Sequence, residues 1–260
     1  MKRLLLNLVL LLSLSSYAAT KLPPVPVFTA ADSLQIVTLA WSEKTIAPGV
    51  VYKEVSDPQL FNKAAQHICM VEIDPQKSGL GLHFGYTEKC TLTSEMATQL
   101  NALAAVNGSY FNVKEEFPVN YLKLDGKAMF PTTKSEAKSR ATGAILLDKG
   151  KISLEPWNLS IEAKGGYPAE NIMVSGPLLV YKNKCVSLPA TAFELYRHPR
   201  TAFGITKKGT WIFFVVDGRF SNISEGMNLY EMAYFAKISG CSDFINLDGG
   251  GSTTLWIKDQ

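Results

Sequence analysis

Residues 244–256 read FINLDGGGSTTLW, in which an apolar run leads into an acidic residue, three glycines and three hydroxyl residues. This order predicts a strand, a tight polar turn and a second strand. Glycine reaches positive φ without steric cost and leaves main-chain N–H groups uncovered, so Gly249 and Gly250 would let an anion or a sugar hydroxyl approach closely. An ordinary hairpin turn capped by Asp248 is the alternative that a lone Gly-rich turn favours.

A second polar turn follows the most hydrophobic stretch beyond the N-terminus, residues 210–216 (TWIFFVV). A continuous apolar run of this length predicts a central strand covered on both faces. It ends in Asp217, Gly218 and Arg219. A carboxylate and a guanidinium at the end of a buried strand are typical of a functional site, and a plain Asp-Gly turn is the commoner explanation.

Two further segments place polar side chains at the ends of predicted strands. The short strand 104–106 leads into Asn107, Gly108 and Ser109, and amide and hydroxyl groups near aromatic residues suit sugar recognition. Residues 197–205 place Arg200 and Thr201 where a proline-fixed bend enters a strand, so this guanidinium could bind phosphate or carboxylate, or form a structural ion pair. Taken alone, residues 107–112 are more typical of a turn.

The remaining pattern predicts a single α+β domain, rich in strands, with a mixed sheet and a few packed helices. Strands are predicted at 34–41, 49–55, 66–74 and 141–147, and helical spacing of apolar residues at 93–103. Asn228 and Glu231 form a capping box that opens a second helix, and Glu231 is a candidate for catalysis or for capping alone. Residues 118–140, with short strand-like pieces at 121–124 and 128–130, predict a mobile flap or a solvated loop, in which Glu136 and Arg140 lie among lysines.

The first residues have the pattern of an export signal. Lys2 and Arg3 precede an apolar run to Leu14, and Ala18 precedes the expected cleavage point. A membrane anchor is the weaker alternative because the run is shorter than the ~20 residues that span a bilayer. We therefore predict a signal peptide at 1–18, an N-terminal extension at 19–60, a main domain at 61–260, and a secreted or periplasmic protein.

Charge and cysteines limit the classes of partner. Loss of Lys2 and Arg3 lowers the formal charge from +3 to +1, and the remaining basic residues are scattered, which argues against a nucleic-acid partner. Cys69, Cys90, Cys185 and Cys241 lack metal-site spacing; they allow two disulfides with three pairings, and Cys69 is equally well explained as a buried free thiol. No cofactor is required, although acidic and amide oxygens would suit calcium or magnesium.

Six motifs in the same order carry a resemblance to a known family. They are NGSYFN from 107, SGP from 175, RHPRTAFG from 197, DGR from 217, GMNLYE from 226 and NLDGGGS from 246. Over about residues 65–257, this set resembles the phosphodiester glycosidase family, and six ordered motifs are far more specific than one. The resemblance implies an α+β domain whose strand-end loops form a pocket that hydrolyses a sugar-1-phosphodiester.

The resemblance also implies which residues form that pocket. Asn107, Arg200, Asp217 and Asp248 are carried over as pocket residues. Ser109, Thr201, Gly249 and Gly250 are carried over as ligand contacts, with Gly108, Gly218 and Arg219 beside them. We expect Arg200 to hold the phosphate, and Asp217 and Asp248 to form the carboxylate pair that glycosyl transfer to water uses. Family members usually continue through another polar loop and a final strand, so the C-terminal end is expected to be shorter than in the family.

Two other classes of protein fit the same residues. One is a secreted carbohydrate- or cell-wall-binding domain that uses the same pocket without turnover. The other is a structural envelope protein whose Asp-Gly motifs are only turns, in which case Asn107, Arg200, Asp217 and Asp248 would be scattered rather than grouped around one cavity.

Overall fold

The structure, a computed structural model, describes residues 21–259 and is built on two large antiparallel sheets, beside which lie two sheets of two strands each. Its strands are β1 Ser42–Ala47, β2 Val50–Gln59, β3 Ala64–Ile73, β4 Ala104–Val106, β5 Phe111–Asn112, β6 Phe117–Pro118, β7 Leu122–Leu124, β8 Lys127–Phe130, β9 Gly143–Asp148, β10 Lys151–Pro156, β11 Asn171–Ser175, β12 Leu178–Tyr181, β13 Lys184–Cys185, β14 Arg200–Thr206, β15 Trp211–Val216, β16 Cys241–Asn246 and β17 Leu255–Ile257. The large sheet has the order β1-β2-β3-β15-β14-β16-β12-β13, and the small sheet has the order β10-β9-β11-β7-β8.

Seven α-helices and two 3₁₀ turns occur among the described residues. They are α1 Ala30–Val37, α2 Leu60–Lys63, α3 Pro75–Ser78, α4 Thr93–Gln99, α5 Leu159–Glu162, α6 Ala192–Leu195 and α7 Leu229–Ile238, with the 3₁₀ turns at Glu136–Lys138 and Gly250–Ser252. This composition confirms the predicted α+β class. None of the described helices is long and apolar enough to cross a membrane. The predicted signal peptide lies outside the described residues.

The predicted central strand, β15, is confirmed. It lies between β3 and β14, and every residue from Trp211 to Val216 is buried. One face of the large sheet packs Ile212, Phe214 and Val216 against α7, whereas the other packs Phe213 against Ile145 of the small sheet. Two apolar layers therefore fix β15, and with it the position of the turn that follows.

Two expectations about local structure are wrong. Residues 34–41 do not form a strand, because Thr29 and Asp32 form a capping box that opens α1. The large sheet is not mixed: every strand pair among residues 21–259 is antiparallel, and the connection from β15 to β16 through α7 passes over β14, which pairs antiparallel with both. Within 118–140, the strand-like pieces expected at 121–124 and 128–130 are confirmed, because residues 122–124 and 127–130 pair as the β7–β8 hairpin of the small sheet.

The Gly-rich turn does not close an ordinary hairpin. It connects β16, in the large sheet, to β17, which pairs with β4 instead of returning along β16. The strand β1–β2 pair, which falls in the predicted N-terminal extension, joins the large sheet directly through β2 and β3. The Gly-rich turn thus lies between the large sheet and the two-stranded sheet formed by β4 and β17.

Candidate active site

The ends of three neighbouring strands, β15, β14 and β16, bring predicted site residues to one end of the large sheet. Because β14 runs antiparallel to β15 and β16, its first residue, Arg200, lies opposite Val216, and the Leu247 N–H donates to Thr201 O at 2.9 Å. Asp217 and Asp248 follow β15 and β16 on either side of Arg200. Two strand spacings separate their main chains, which places them about 10 Å apart.

The side chain of Asn107 forms hydrogen bonds to three segments: β14, the Gly-rich turn and the residue that precedes β17. Its Oδ1 accepts hydrogen bonds from Thr201 Oγ1 at 2.6 Å and from the Thr254 N–H at 3.0 Å, and its Nδ2 donates to Asp248 O at 2.7 Å. The Asp248 N–H in turn donates to Gly108 O at 3.0 Å. The structure therefore brings Asn107, Gly108, Thr201 and Asp248 together, as the sequence predicted.

Ser109 holds the next part of the same loop. Its Oγ donates to Val174 O at 2.6 Å and accepts from Asn120 Nδ2 at 3.2 Å, and Asn120 Nδ2 also donates to Arg140 O at 2.8 Å. The loop that begins at Asn107 is thereby connected to both the small sheet and the 136–140 turn.

Asp248 lies in a cleft of about 1060 Å³ that Asn107, Tyr110 and Ser252 also line. Burial raises the pKa of this carboxyl above its ordinary value, although hydrogen bonds from Ser252 and the Gly249 N–H and the charge of Arg140 act to lower it. A carboxylate with a raised pKa in a cleft is typical of a group that transfers protons.

Glycines allow the turns to pack against residues 198–200. A Cβ placed at Gly249 would lie 2.7 Å from Pro199 O, and one at Gly218 would lie 2.5 Å from Pro199 N. Gly250 has φ +62° and donates its N–H to Pro199 O at 2.9 Å. The 217–219 turn and the Gly-rich turn therefore flank the start of β14.

Arg200 and Arg219 have opposite surroundings. Arg200 is 3% exposed, and it donates from Nε to Met227 O and from Nη2 to Phe193 O and Tyr196 O at 3.0–3.1 Å. Burial lowers the pKa of Arg200 to about 10, and the charges of Arg140 and Arg219 act in the same direction. The guanidinium predicted to hold phosphate is thus committed to main-chain carbonyls inside the protein.

Arg219 instead is exposed and lies against the Gly-rich turn, with Nη2 3.0 Å from the position of a Cβ on Gly250. Its guanidinium forms no hydrogen bond or ion pair with any residue in the range 21–259. His198 is adjacent: burial lowers its pKa, and so do the charges of Arg200 and Arg219. Positive groups crowd this edge of the sheet.

Asp217 belongs to a chain of charged groups that sequence reasoning missed. His67 Nδ1 lies 2.7 Å from Asp217 Oδ2, and His67 Nε2 lies 2.9 Å from Glu54 Oε1. Burial acts to lower the pKa of His67, but the hydrogen bonds and charges of Glu54 and Asp217 outweigh it and raise that pKa. The imidazole fixes Asp217 through Oδ2, and Oδ1 is left without a hydrogen bond to any described residue.

Glu136 was expected in a solvated loop, and this expectation is wrong. Its side chain is 12% exposed, and Oε2 is buried without a hydrogen-bond partner among the described residues. Burial raises the pKa of Glu136, Arg140 acts to lower it, and the charge of Asp248 raises it. Arg140 lies over the rings of Tyr110 and Phe193, with Cζ 5.2 and 4.8 Å from their centroids. The sequence does not indicate that Glu136 is buried, because the lysines on either side of it are typical of an exposed segment and are themselves exposed.

Glu231 does not join the other predicted site residues. It is 2% exposed, accepts from the Asn228 N–H at 3.0 Å, and pairs with Arg197 through contacts of 2.6–3.1 Å. Both carboxylate oxygens are occupied, so the geometry favours the capping role that the sequence left open.

Metal-binding and disulfide groups are not found in the described part of the chain. All four cysteines are free thiols, with Cys241 buried and Cys90 and Cys185 exposed. Residues 21–259 contain no group of three or more His, Cys, Asp or Glu side chains placed to hold a metal ion.

Comparison with known proteins identifies the family. The sequence model of the family described as phosphodiester glycosidase matches residues 100–260, more than half of the chain. The chain belongs to the phosphodiester glycosidase family.

Individual phosphodiester glycosidase relatives match in part. The SPbeta prophage-derived uncharacterized protein YomE of Bacillus subtilis is 29% identical over 195 residues, which are 72% of this chain and 28% of that protein. N-acetylglucosamine-1-phosphodiester alpha-N-acetylglucosaminidase of Mus musculus is 46% identical over 59 residues, which are 23% of this chain and 11% of the mouse protein. The chain therefore spans only a small part of the length of these relatives.

Solved structures share the fold. The catalytic domain of the zebrafish N-acetylglucosamine-1-phosphodiester alpha-N-acetylglucosaminidase superimposes with a TM-score of 0.60 and 23% identity, covering 83% of this chain and 76% of that chain. A putative exported protein of Burkholderia pseudomallei gives a TM-score of 0.60 at 13% identity and covers 92% of this chain and 94% of that chain.

Proposed function

We propose that this protein hydrolyses the bond between a sugar and phosphate in a sugar-1-phosphodiester. Its family and the position of Asp248 in a large cleft support this reaction class. The observation that carries the proposal is the guanidinium of Arg219, which lies without a partner against the Gly-rich turn that begins at Asp248.

The phosphate would bind at Arg219. A guanidinium binds phosphate through paired N–H donors, and a phosphate here would offset the repulsion between the charges of Arg219 and Arg200. Arg200, the phosphate ligand that we expected from sequence, would instead support the turns from beneath, because its donors bind carbonyl groups.

Asp248 would take the proton of the attacking water. In this step the water oxygen bonds to the anomeric carbon, the bond from that carbon to the phosphate oxygen breaks, and the phosphate leaves with the electron pair. The products are a free sugar and a phosphomonoester. Asp217, the second carboxylate of the predicted pair, is held by His67 with Oδ1 unoccupied, and Arg219 would stabilise the charge on the leaving phosphate.

The test is a screen of the purified protein against α- and β-linked sugar-1-phosphodiesters. We expect turnover of at least one linkage and a fall in kcat of about 10²-fold or more in Asp248→Asn, because general acid–base catalysis contributes on this scale. Asp148→Asn is the matched control, since this residue ends β9 in the small sheet and does not line the cleft.

The screen also separates this proposal from a carbohydrate-binding role. Binding of a sugar phosphodiester without product after long incubation would replace the hydrolase with a binding domain. Full activity in a folded Asp248→Asn protein would remove Asp248 from the mechanism. Circular dichroism of both variants verifies that they are folded.

We also propose export, on the pattern of residues 1–18. In an expression host with a secretory pathway, we expect the protein outside the cytoplasm, with Ala19 as its first residue. N-terminal sequencing of the exported protein checks this, and an intact Met1 on cytoplasmic protein would contradict it.

A further inference from the structure

The cleft that contains Asp248 is polar at one end and apolar over the rest of its length. Its polar end is formed by side chains that follow β4 and β16, among them Asn107, Ser109 and Ser252. Beyond them the cleft is bounded by the large sheet on one side and by the irregular segment 79–92 and α4 on the other. The cleft is therefore much larger than the group of polar residues that we assign to the reaction.

The large sheet supplies one apolar wall. Leu247, the neighbour of Asp248, lies at the level of Thr201, because its N–H donates to Thr201 O at 2.9 Å, and Trp211 lies opposite Ile205. Four residues of β14 separate these two levels, which corresponds to about 14 Å. Leu247 and Trp211 both line the cleft. The apolar wall thus begins beside the proposed catalytic carboxyl and continues well away from it along the sheet.

The opposite wall leaves aliphatic side chains open to solvent. Leu80, Leu92 and Leu100 are 36%, 66% and 58% exposed, and all three line the cleft. The segment is nevertheless packed against α4, since a Cβ on Gly85 would lie 2.9 Å from Met96 Cε. A group of exposed aliphatic side chains along one cavity is typical of a binding surface.

Charged side chains of the cleft lie at its rim, apart from Asp248. Among the described residues that line it, the other charged or titratable side chains are all exposed: His83, Lys89, Glu95 and Glu116. A polar ligand would lose hydrogen bonds to water along the apolar walls without replacing them, which costs free energy. A hydrocarbon chain gains free energy from the same surroundings. The two ends of the cleft together suit a molecule with a polar head and an apolar chain.

We propose that the substrate is an acylated sugar, whose long acyl chain lies in the apolar part of the cleft between β14–β15 and α4. The proposal rests on the proposed hydrolase function, which places the attacked sugar beside Asp248. Arg219, the proposed phosphate ligand, is not part of the cleft wall. The chain is therefore carried by the sugar and not by the alcohol that departs with the phosphate.

The experiment compares two methyl phosphodiesters of glucosamine that differ only in the acyl group on the amino nitrogen, acetyl or decanoyl. Light scattering verifies that the decanoyl compound is used below the concentration at which it forms micelles. We expect KM for the decanoyl diester to be lower by about tenfold or more, because burial of a few methylene groups is sufficient for this factor.

A charge in the apolar wall should remove this preference. We expect Leu100→Glu to reduce the ratio of the two KM values to less than about twofold, since a carboxylate beside the chain opposes its burial. Leu34→Glu is the matched control, because Leu34 is 62% exposed, lies on α1 and does not line the cleft, and it should keep the ratio. Leu92→Glu, in the same wall as Leu100, repeats the test if circular dichroism shows that Leu100→Glu is unfolded.

The outcomes distinguish this proposal from the proposed function. Equal KM values for the two diesters, or a preference that both wall variants keep, would overturn the acyl-chain site while leaving the hydrolase in place. If neither diester is cleaved, the proposed function fails, and calorimetry with N-decanoylglucosamine and N-acetylglucosamine then tests the cleft alone. Equal Kd values would overturn the site. A Kd about tenfold tighter for the decanoyl compound, lost in Leu100→Glu and kept in Leu34→Glu, would support it.

Discussion

At the scale of single residues, burial raises the pKa of the carboxyl group of Asp248 in the cleft, and the charge of Arg140 is one of the influences that oppose it. Arg140 stacks on Tyr110 and Phe193, lies 3.8 Å from Glu136, and acts to lower the pKa of Asp248 against the effect of burial. In the proposed mechanism Asp248 must be ionised to accept a proton, so we expect activity to be lost as the pH falls through its raised pKa. The acid limb of the pH–rate profile should therefore report this carboxyl.

We expect Arg140→Gln to move that acid limb to higher pH. Without the nearby cation, the ionised form of Asp248 loses stabilisation, so its pKa rises further. Lys138→Gln removes the same charge from an exposed residue of the same turn and should leave the limb in place. The measurement is kcat/KM between about pH 4 and pH 8. A shift to lower pH in Arg140→Gln, or an equal shift in Lys138→Gln, would contradict this assignment.

At the scale of elements, the Gly-rich turn packs closely at one glycine and leaves space at another. A Cβ on Gly249 would lie 2.7 Å from Pro199 O, whereas one on Gly251 would meet no atom within 4 Å. We expect Gly249→Ala to lower the free energy of unfolding by about 1–3 kcal/mol, because the turn must move away from β14. Gly251→Ala should change it by less than about 0.5 kcal/mol. Urea denaturation of both variants checks this, and equal losses would show that close packing at Pro199 is unimportant.

The elements also show what the sequence could predict. Local signals identified three elements. A run of apolar residues predicted the strands β15 and β16, and the capping box of Asn228 and Glu231 predicted α7. The stretch that became α1 was misread because Leu34 and Ile36 alternate like a strand, while the Thr29–Asp32 cap outweighs that pattern. The pairing of β17 with β4 was not predictable, because it joins residues that are about 150 positions apart in the chain.

The same limit of sequence reasoning applies to the site. Asn107, Thr201 and Asp248 were grouped correctly, because each follows or begins an apolar strand. Burial in three dimensions decides the rest: it turns Arg200 toward carbonyl groups, encloses Glu136, and pairs Asp217 with His67. These partners come from distant segments, and no local pattern marks them.

At the scale of the whole molecule, the site exists because the two sheets approach closely. A Cβ on Gly143 of the small sheet would lie 2.8 Å from Ile245 Cδ1 and 3.0 Å from Leu178 Cβ in the large sheet. The apolar layer between the sheets also includes Phe203 and Leu247, the residues that precede or follow the polar edge. Anything that binds at this edge only in the folded state must therefore stabilise the entire domain.

Inorganic phosphate, bound at Arg219, should stabilise the folded domain. At a concentration 100-fold above its Kd, phosphate would add about 2.7 kcal/mol to the free energy of unfolding and raise Tm by roughly 5–10 °C. We expect Arg219→Gln to lose most of this increase, because the partner-free guanidinium at the Gly-rich turn supplies the charge that binds phosphate. Lys237→Gln, an exposed charge on α7, should keep it. Sodium chloride at equal ionic strength separates binding from screening, and an undiminished increase in Arg219→Gln would exclude this residue as the phosphate ligand.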